Sequence, residues 1–381
     1  MSYLDHAATT PVLPEVRDAI AQSLAEDFGN ASSVHLHGRK ARRSVEDARD
    51  RVAAAVGASP AEIVFTGGGT EADNLAVKGA ALKLRGNGDH VVTTSFEHHA
   101  VLDSVEALER TGLRVTLVAP GRDGLVAAAD VGRAVERATT IVSVMAVNNE
   151  IGTIQLVGEI VEAAKRANGR ALVHTDAVQA LGNIPVDVHA WGVDLASFAA
   201  HKIGGPKGVG ALFVRAHTPL EPVIHGGGQE RGLRSGTLNV AGIVGFGVAA
   251  EIAAKEVDEK SERLLELRKS LWDGIRAAVP DASFNGDWDR RVAGNLNFSV
   301  PGAEGETLLL LLDQAGISCS SGSACASGAL DPSHVLLAIG VPPDRAAGSL
   351  RMSFGRPSTR RDVDAVLEAL PGIVAAARRV G

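Results

Sequence analysis

Residues 66–74 (TGGGTEADN) combine a run of glycines with the start of a helical pattern. Glycines let backbone N–H groups approach an anion, and the helix dipole favours negative charge at a helix N-terminus. Thr70 and Asp73 have the spacing of a capping box, which predicts that the helix begins there. The pattern matches neither a Walker loop nor a GxGxxG fingerprint, so it predicts phosphate binding without specifying a nucleotide. An ordinary glycine-rich turn is the alternative.

Two charged side chains follow apolar segments farther along the chain. Asp176 ends the segment 171–176 (ALVHTD), and Lys202 follows the segment 195–200 (LASFAA). Ligands of open α/β sheets bind beyond the carboxyl ends of strands, so both side chains are predicted to face a ligand. A buried carboxylate needs a cationic partner such as a pyridinium nitrogen, and a lysine in an apolar pocket can form a Schiff base. A helix N-cap for Asp176 and a surface position for Lys202 are the alternatives.

The chain contains two cysteines, Cys319 and Cys325, which is too few for a disulfide framework. Cys325 lies in residues 320–328 (SSGSACASG), a small, polar, turn-rich stretch that predicts an exposed loop. Cys319 is predicted to be a buried packing thiol, and the alternative is a thiol that forms a disulfide with Cys325. No histidine or cysteine pattern has zinc-ligand spacing, so the sequence predicts no metal site.

Composition and charge exclude several classes of protein. The 381 residues carry a formal net charge of −7 and are 45% hydrophobic and 3% aromatic. These values suit a globular enzyme and provide neither the positive field nor the stacking surface that nucleic-acid binding requires. The basic stretch 39–43 is followed by acidic residues, which indicates a solvated helix face. Since no signal-peptide pattern and no long apolar run is found, we expect a cytoplasmic protein without a membrane partner.

Apolar segments alternate with helical patterns through the first two-thirds of the chain. This order predicts an α/β fold with a mainly parallel sheet that helices cover on both faces. The predicted strands are 63–65, 91–94, 115–118, 141–147, 171–173, 195–198 and 211–214. The helices predicted between them lie near 71–84, 99–111, 130–138 and 157–168.

The last third of the chain predicts a smaller second domain. Residues 240–254 are mostly apolar and predict a packed core helix, whereas the charged residues 255–268 predict a long exposed helix that bridges the domains. A strand at 293–300 and helices at 304–315 and 361–378 are predicted beyond it. The expected large domain spans 14–254, and the expected small domain combines 1–13 with 255–381, including a cysteine loop at about 318–330.

Eight motifs spread along the chain resemble those of one known family. They are YLDHAATT (3–10), FTGGGTEADN (65–74), EHHAVL (97–102), VNNEIGT (147–153), HTDAVQ (174–179), AHKIGGPKGVGAL (200–212), HGGGQERGLRSGT (225–237) and SSGSACASG (320–328). Together they resemble the cysteine desulfurases of the NifS/IscS type, a class V aminotransferase-type family of fold-type I enzymes that use pyridoxal 5'-phosphate (PLP). The resemblance implies a large domain with a mainly parallel seven-stranded sheet, a smaller α+β domain, the PLP cofactor and a homodimer.

The resemblance also implies roles for residues around the cofactor ring. Lys202 is expected to bind PLP covalently, and Asp176 to pair with the pyridinium nitrogen. Gln179 is expected to hydrogen-bond the phenolic oxygen, and His98 to stack on the ring and move protons.

Further residues are implied to hold the phosphate group. They are Gly69, Thr70 and His201, with Thr237 contributed by the partner subunit. Members of the family often have a serine where this chain has Ala199. We therefore expect only the backbone of Ala199 to contribute, and a somewhat altered phosphate site.

The implied activity is the conversion of L-cysteine to L-alanine. Asn149 and Arg351 are expected to bind the substrate carboxylate, since the planar fork of an arginine matches a carboxylate. Cys325 is expected to accept the sulfur as a persulfide, with Lys202 and His98 as the other catalytic residues. The sulfur then passes to an acceptor protein for iron–sulfur cluster assembly or another thiolation pathway.

Other functions on the same scaffold remain open at this point. A selenocysteine lyase would use the same residues, whereas a small-amino-acid aminotransferase has no need of the loop that carries Cys325. A non-enzymatic protein that keeps only the fold is a further alternative. The presence of Lys202, Asp176, His98 and Cys325 argues against it.

Overall fold

The computed structural model describes residues 1–321 and 332–380. Within them, the strands are β1 (Ser2–Tyr3), β2 (Ile63–Thr66), β3 (His90–Thr94), β4 (Arg114–Val118), β5 (Thr139–Ser143), β6 (Leu172–Asp176), β7 (Leu195–Ala199), β8 (Gly210–Val214), β9 (Ser283–Phe284), β10 (Asn295–Ser299), β11 (Ile317–Ser318) and β12 (Ser349–Ser353). The α-helices are α1 (Pro14–Glu26), α2 (Leu36–Val56), α3 (Gly69–Lys83), α4 (His99–Glu109), α5 (Ala128–Ala134), α6 (Val157–Ala167), α7 (Val188–Trp191), α8 (Val240–Ala278), α9 (Gly305–Gln314), α10 (His334–Ala338), α11 (Pro343–Ala347) and α12 (Arg360–Val380).

The largest sheet of the described chain contains seven strands in the order β2-β8-β7-β6-β5-β3-β4. Neighbouring strands from β4 to β7 are parallel, and β8 is antiparallel to both β2 and β7. Every residue of β5, β6 and β7 is buried, which explains why these segments read as continuous apolar runs. The predicted α/β fold with a mainly parallel seven-stranded sheet is confirmed.

The direction of the strands places several loops at one edge of the sheet. Because β8 runs against both of its neighbours, β2 points the same way as β3, β5, β6 and β7. The segments that follow these five strands therefore all leave the sheet at its carboxyl edge, where ligands of open α/β sheets bind.

Each predicted strand and helix of the first two-thirds is present, and two of them, predicted to end at residues 147 and 138, end four residues earlier. The strand predicted over 141–147 ends at Ser143, before a turn in which the Asn148 side chain accepts the N–H groups of Glu150 and Ile151. The helix predicted over 130–138 ends at Ala134, since the N–H of Glu136 donates to the Thr139 hydroxyl. Side-chain hydrogen bonds to the backbone end regular structure in this way.

Helix α8 joins two clusters of buried side chains. Phe246 in its first half packs in the cluster around the large sheet, and Leu264 in its second half packs in a cluster with β10, β12, α9 and α12. The predicted core helix over 240–254 is confirmed. The prediction that 255–268 is exposed is wrong on one face, where Arg268 is 2% exposed. Its guanidinium donates to the carbonyls of Trp288 and Val292, which lowers the cost of burying the charge, although Nε has no partner among the described residues.

The second cluster brings the two ends of the chain together. A three-stranded antiparallel sheet has the order β12-β10-β9, and β1 pairs in parallel with β11. Leu4 is buried in the same cluster as side chains between residues 264 and 377. The elements predicted for this part are present as β10, α9 and α12. The domain limits of 14–254, and of 1–13 with 255–381, stay a prediction, and α8 is continuous across residue 254.

Candidate active site

The loops at the carboxyl edge converge on a cavity of about 300 Å³, a size that suits a small-molecule ligand. Many of the residues that the sequence assigned to a site line it: Gly69, Thr70, His98, Asn149, Asp176, Gln179, Ala199, His201, Lys202 and Arg351. Arg351 comes from β12 in the last third of the chain, and the others end or follow strands of the large sheet. Their convergence is what the motifs predicted, and their individual roles stay predictions.

One end of the cavity is formed by the start of α3. The helix begins at Gly69, and its N-cap is Gly68, which has a φ of 154° and no side-chain cap bond. The predicted capping box is therefore wrong, because a glycine in a conformation that other residues avoid starts the helix earlier than Thr70. Asp73 is 1% exposed, and its Oδ1 lies 3.6 Å from His174 Nε2 in the interior. The first N–H groups of α3 thus have no side-chain acceptor at the N-cap, which suits an anionic ligand.

Asp176 lies in the floor of the cavity at the end of β6. It is 5% exposed, and its Oδ1 accepts the N–H of Val178 at 2.9 Å. The residues that follow form a turn, so the helix N-cap alternative for Asp176 is wrong. Burial raises the pKa of Asp176, and the nearby His98 and Lys202 oppose that rise. A carboxylate in this setting is stabilised by a cationic group bound beside it.

Two histidines of the cavity are neutral near pH 7. His98 is the N-cap of α4, and its Nδ1 accepts the N–H of Ala100 at 3.0 Å. Burial lowers the pKa of His98, against the effect of Asp176, and burial lowers the pKa of His201 to about 4. An imidazole that accepts through Nδ1 carries its proton on Nε2. His98 can therefore donate a hydrogen bond without adding charge to the cavity.

The amino group of Lys202 is held by the N-terminal segment. Its Nζ donates to the carbonyl of Ala7 at 2.6 Å and to that of Ala8 at 2.8 Å. The Gln179 side chain donates to the same Ala7 carbonyl at 2.8 Å. Lys202 is half-buried and lines the cavity, so its predicted surface alternative is wrong.

Arg351 and Asn149 meet at another wall of the cavity. Arg351 Nη1 donates to the Asn149 carbonyl at 3.0 Å, and Nη2 donates to Asp5 Oδ1 at 2.8 Å. Two buried polar atoms here have no partner among the described residues, Arg351 Nε and Asn149 Oδ1. Buried polar groups are nearly always hydrogen-bonded, so an ordered water or a polar ligand is expected at this wall.

The contribution of the N-terminal residues to the site was not predicted from the sequence. Asp5, Ala7 and Ala8 contact the two cationic side chains of the cavity, yet the motif YLDHAATT suggested only a family resemblance. Nor did the sequence predict a buried polar cluster under α3, in which His174 bonds Ser143 and Ser197 at 2.8 and 2.9 Å. Burial lowers the pKa of His174 to about 3, so it is neutral. Polar residues in otherwise apolar strands were the available signal.

Three predicted residues lie away from the cavity or beyond the described chain. Cys325 lies outside the described residues. Thr237 is exposed and does not line the cavity in this single chain, so its contribution to a partner subunit stays a prediction. Cys319 follows β11 directly, packs partly buried against the second cluster, and has its pKa raised to about 12 by burial. A protonated thiol of this kind agrees with the predicted packing role.

The fold and the loops that meet at its carboxyl edge are those of a fold-type I enzyme. The chain belongs to the aminotransferase class-V family, whose model matches residues 2–366. It is 49% identical over 386 residues to the IscS-like cysteine desulfurase of Mycobacterium tuberculosis, which covers 100% of this chain and 98% of that protein. It is 48% identical over 374 residues to cysteine desulfurase IscS of Clostridium botulinum, covering 98% and 94%. A solved structure of a NifS-like protein superposes with a TM-score of 0.93 at 38% identity, over 99% of this chain and 100% of that one.

The described residues were also compared with the patterns of membrane-spanning helices and of metal-ligand clusters. No helix within residues 1–321 and 332–380 has both the length and the apolar character needed to cross a membrane. Over the same residues, no three His, Cys, Asp or Glu side chains are grouped as the ligands of a metal ion would be.

Proposed function

We propose that this chain is a PLP-dependent cysteine desulfurase that converts L-cysteine to L-alanine and carries the sulfur as a persulfide on Cys325. Relatives that match almost the whole chain at 48% to 49% identity are named cysteine desulfurases. The observation that carries the proposal is the cavity in which Asp176, Lys202 and the start of α3 face one another. We further propose a cytoplasmic homodimer that passes the sulfur to an acceptor protein.

PLP fits the groups that the cavity offers. The N-terminus of α3 provides backbone N–H groups for a phosphate, Asp176 provides a buried carboxylate for a cationic ring nitrogen, and Lys202 provides an amine for an aldehyde. Ala199 is 2% exposed and has no hydroxyl, so the phosphate is held through fewer side-chain bonds than in relatives with a serine. When bound, the cofactor supplies an electron sink for negative charge that develops on the substrate.

The residues of the chain bind the substrate and move its proton. Arg351 and the side-chain amide N–H group of Asn149 bind the carboxylate of L-cysteine, since a carboxylate accepts hydrogen bonds from both donors. Lys202 Nζ takes the proton from the substrate α-carbon. Asp176 would pair with a cationic ring nitrogen, which offsets the rise in its pKa that burial causes. The Nε2–H group of the neutral His98 can donate a hydrogen bond.

Sulfur transfer requires a nucleophile on the chain. The Cys325 thiolate attacks the sulfur of the substrate, and a new S–S bond forms as the carbon–sulfur bond breaks. The electron pair of the broken bond stays with the substrate, whose β-carbon and α-carbon are then protonated to give L-alanine. Cys319 is unsuited to this task because burial raises its pKa to about 12 and keeps the thiol protonated.

Cys325→Ser tests this proposal, and Cys319→Ser is its matched control. The Cys325→Ser protein is expected to bind PLP and L-cysteine but to form no persulfide, and therefore to lose cysteine-dependent alanine production. The Cys319→Ser protein is expected to keep it. Alanine formation at the normal rate in Cys325→Ser would refute the assignment of the nucleophile.

A further inference from the structure

Asp5 holds the guanidinium of Arg351 from outside the cavity. Its Oδ1 accepts Arg351 Nη2 at 2.8 Å, and the two side chains are 20% and 3% exposed. Arg351 lines the cavity, whereas Asp5 does not. Solvent screens an ion pair at this depth far less than a surface pair, so it can constrain the direction of the guanidinium.

Two of the three guanidinium nitrogens are fixed by the protein. Nη2 is bound to Asp5, and Nη1 donates to the Asn149 carbonyl at 3.0 Å. A guanidinium is planar, so fixing both terminal nitrogens also fixes the direction of the third. That third nitrogen, Nε, is the buried donor without a partner among the described residues.

Asp5 is itself firmly placed. The preceding residue, Leu4, donates its N–H to the Ser318 carbonyl at 2.8 Å and accepts the N–H of Ser353 at 2.7 Å. The Tyr3 hydroxyl donates to the Asp5 carbonyl at 3.2 Å. The aspartate is thus tied to β12, the strand that carries Arg351, so the relative position of the two side chains is set by the backbone.

We propose that Asp5 is a positioning residue for substrate recognition, which holds the guanidinium of Arg351 in the direction that binds the carboxylate of the amino-acid substrate. The inference rests on the proposed function, in which Arg351 binds the carboxylate of L-cysteine. Asp5 does not line the cavity, so it is expected to touch neither the substrate nor the cofactor. Its effect therefore falls on substrate binding and leaves the chemical step unchanged.

The test compares steady-state kinetics of Asp5→Asn and Asp5→Ala with those of the unaltered PLP-loaded enzyme. Both variants are expected to raise KM for L-cysteine about tenfold or more, with kcat within about twofold, because a displaced guanidinium loses part of a charge-assisted bond. Their visible spectrum and thermal midpoint are expected to stay unchanged. Asp18→Asn is the control, since Asp18 pairs with Arg17 on the surface, where the two side chains are 68% and 69% exposed. The control is expected to keep the normal KM.

A double-mutant cycle separates positioning from a general structural effect. On an Arg351→Ala background, Asp5→Ala is expected to change KM by less than about twofold, since no guanidinium is left to orient. The inference is overturned if Arg351→Ala raises KM and Asp5→Ala does not, or if the effect of Asp5→Ala persists without Arg351. An Arg351→Ala enzyme with normal KM would instead refute the carboxylate site of the proposed function, and the role of Asp5 with it.

Discussion

Gly210 packs against the start of α3, the end of the cavity where we propose that the phosphate of PLP binds. It is the first residue of β8, and a Cβ built on it would lie 2.6 Å from the carbonyl carbon of Gly68 and 2.6 Å from the carbonyl oxygen of Phe198. Ordinary contacts of a Cβ begin at 3.4 Å, so Gly210→Ala requires a displacement of about 0.8 Å. Phe198 belongs to a fully buried central strand and cannot move easily. The displacement therefore falls on the loop that contains Gly68.

A shift of that size is large for a phosphate site. It lengthens an N–H···O bond from about 2.9 Å to beyond the range in which such bonds form. Losing one hydrogen bond to a charged group costs about 1.5–3 kcal/mol, which corresponds to about a ten- to hundredfold weaker Kd for PLP.

The assay is a titration of the cofactor-free protein with PLP, followed by visible absorption. Gly86→Ala is the matched control, because a Cβ at Gly86 meets nothing within 4 Å. The reasoning predicts a raised Kd for Gly210→Ala and a normal Kd for Gly86→Ala. A normal Kd for Gly210→Ala, in a protein that is correctly folded, would refute it.

Two further predictions concern buried carboxylates. Burial raises the pKa of Glu97 from 4.5 to about 8, so the stability that its protonated form contributes is present below pH 4.5 and is lost as the pH rises through 8. Between these two pH values the free energy of unfolding should fall by about 1.4 kcal/mol per pH unit. The thermal midpoint of Glu97→Gln should therefore fall less steeply with pH than that of the unaltered protein, by about 1–2 °C per pH unit. Thermal midpoints that change equally with pH in the two proteins would contradict this. Glu230 accepts Arg49 Nη1 and Nη2 at 2.8 and 2.7 Å, so Glu230→Gln is expected to cost about 3–5 kcal/mol. The control Glu221→Gln, at an exposed pair with Lys83, is expected to cost less than about 1 kcal/mol, and an equal loss of thermal midpoint in both would be inconsistent with the prediction.

The sequence was sufficient to predict the large sheet and the residues at its carboxyl edge. Strands buried on both faces leave continuous apolar runs, and the positions of Asp176 and Lys202 at the ends of such runs predicted that both line the cavity. Prediction from local sequence patterns gave the wrong start for α3. A glycine N-cap carries no side-chain signal, whereas Thr70 and Asp73 match a familiar spacing by chance.

Contacts between distant parts of the chain were not predictable from local patterns. Asp5 and Arg351 are separated by 346 positions, and their pairing depends on the packing of the chain ends around β12. The burial of Arg268 inside a charged stretch likewise depends on carbonyl groups that tertiary packing brings to it. Such features follow from the folded backbone, and the linear spacing of residues does not encode them.

The most direct test of the proposed function is to purify the protein and record its visible spectrum. L-cysteine is then added with a reductant, and alanine and sulfide are quantified. A cysteine desulfurase is expected to show the absorption of lysine-bound PLP and to release alanine and sulfide in equal amounts. A protein that shows this absorption but forms no alanine from L-cysteine would contradict the proposed activity.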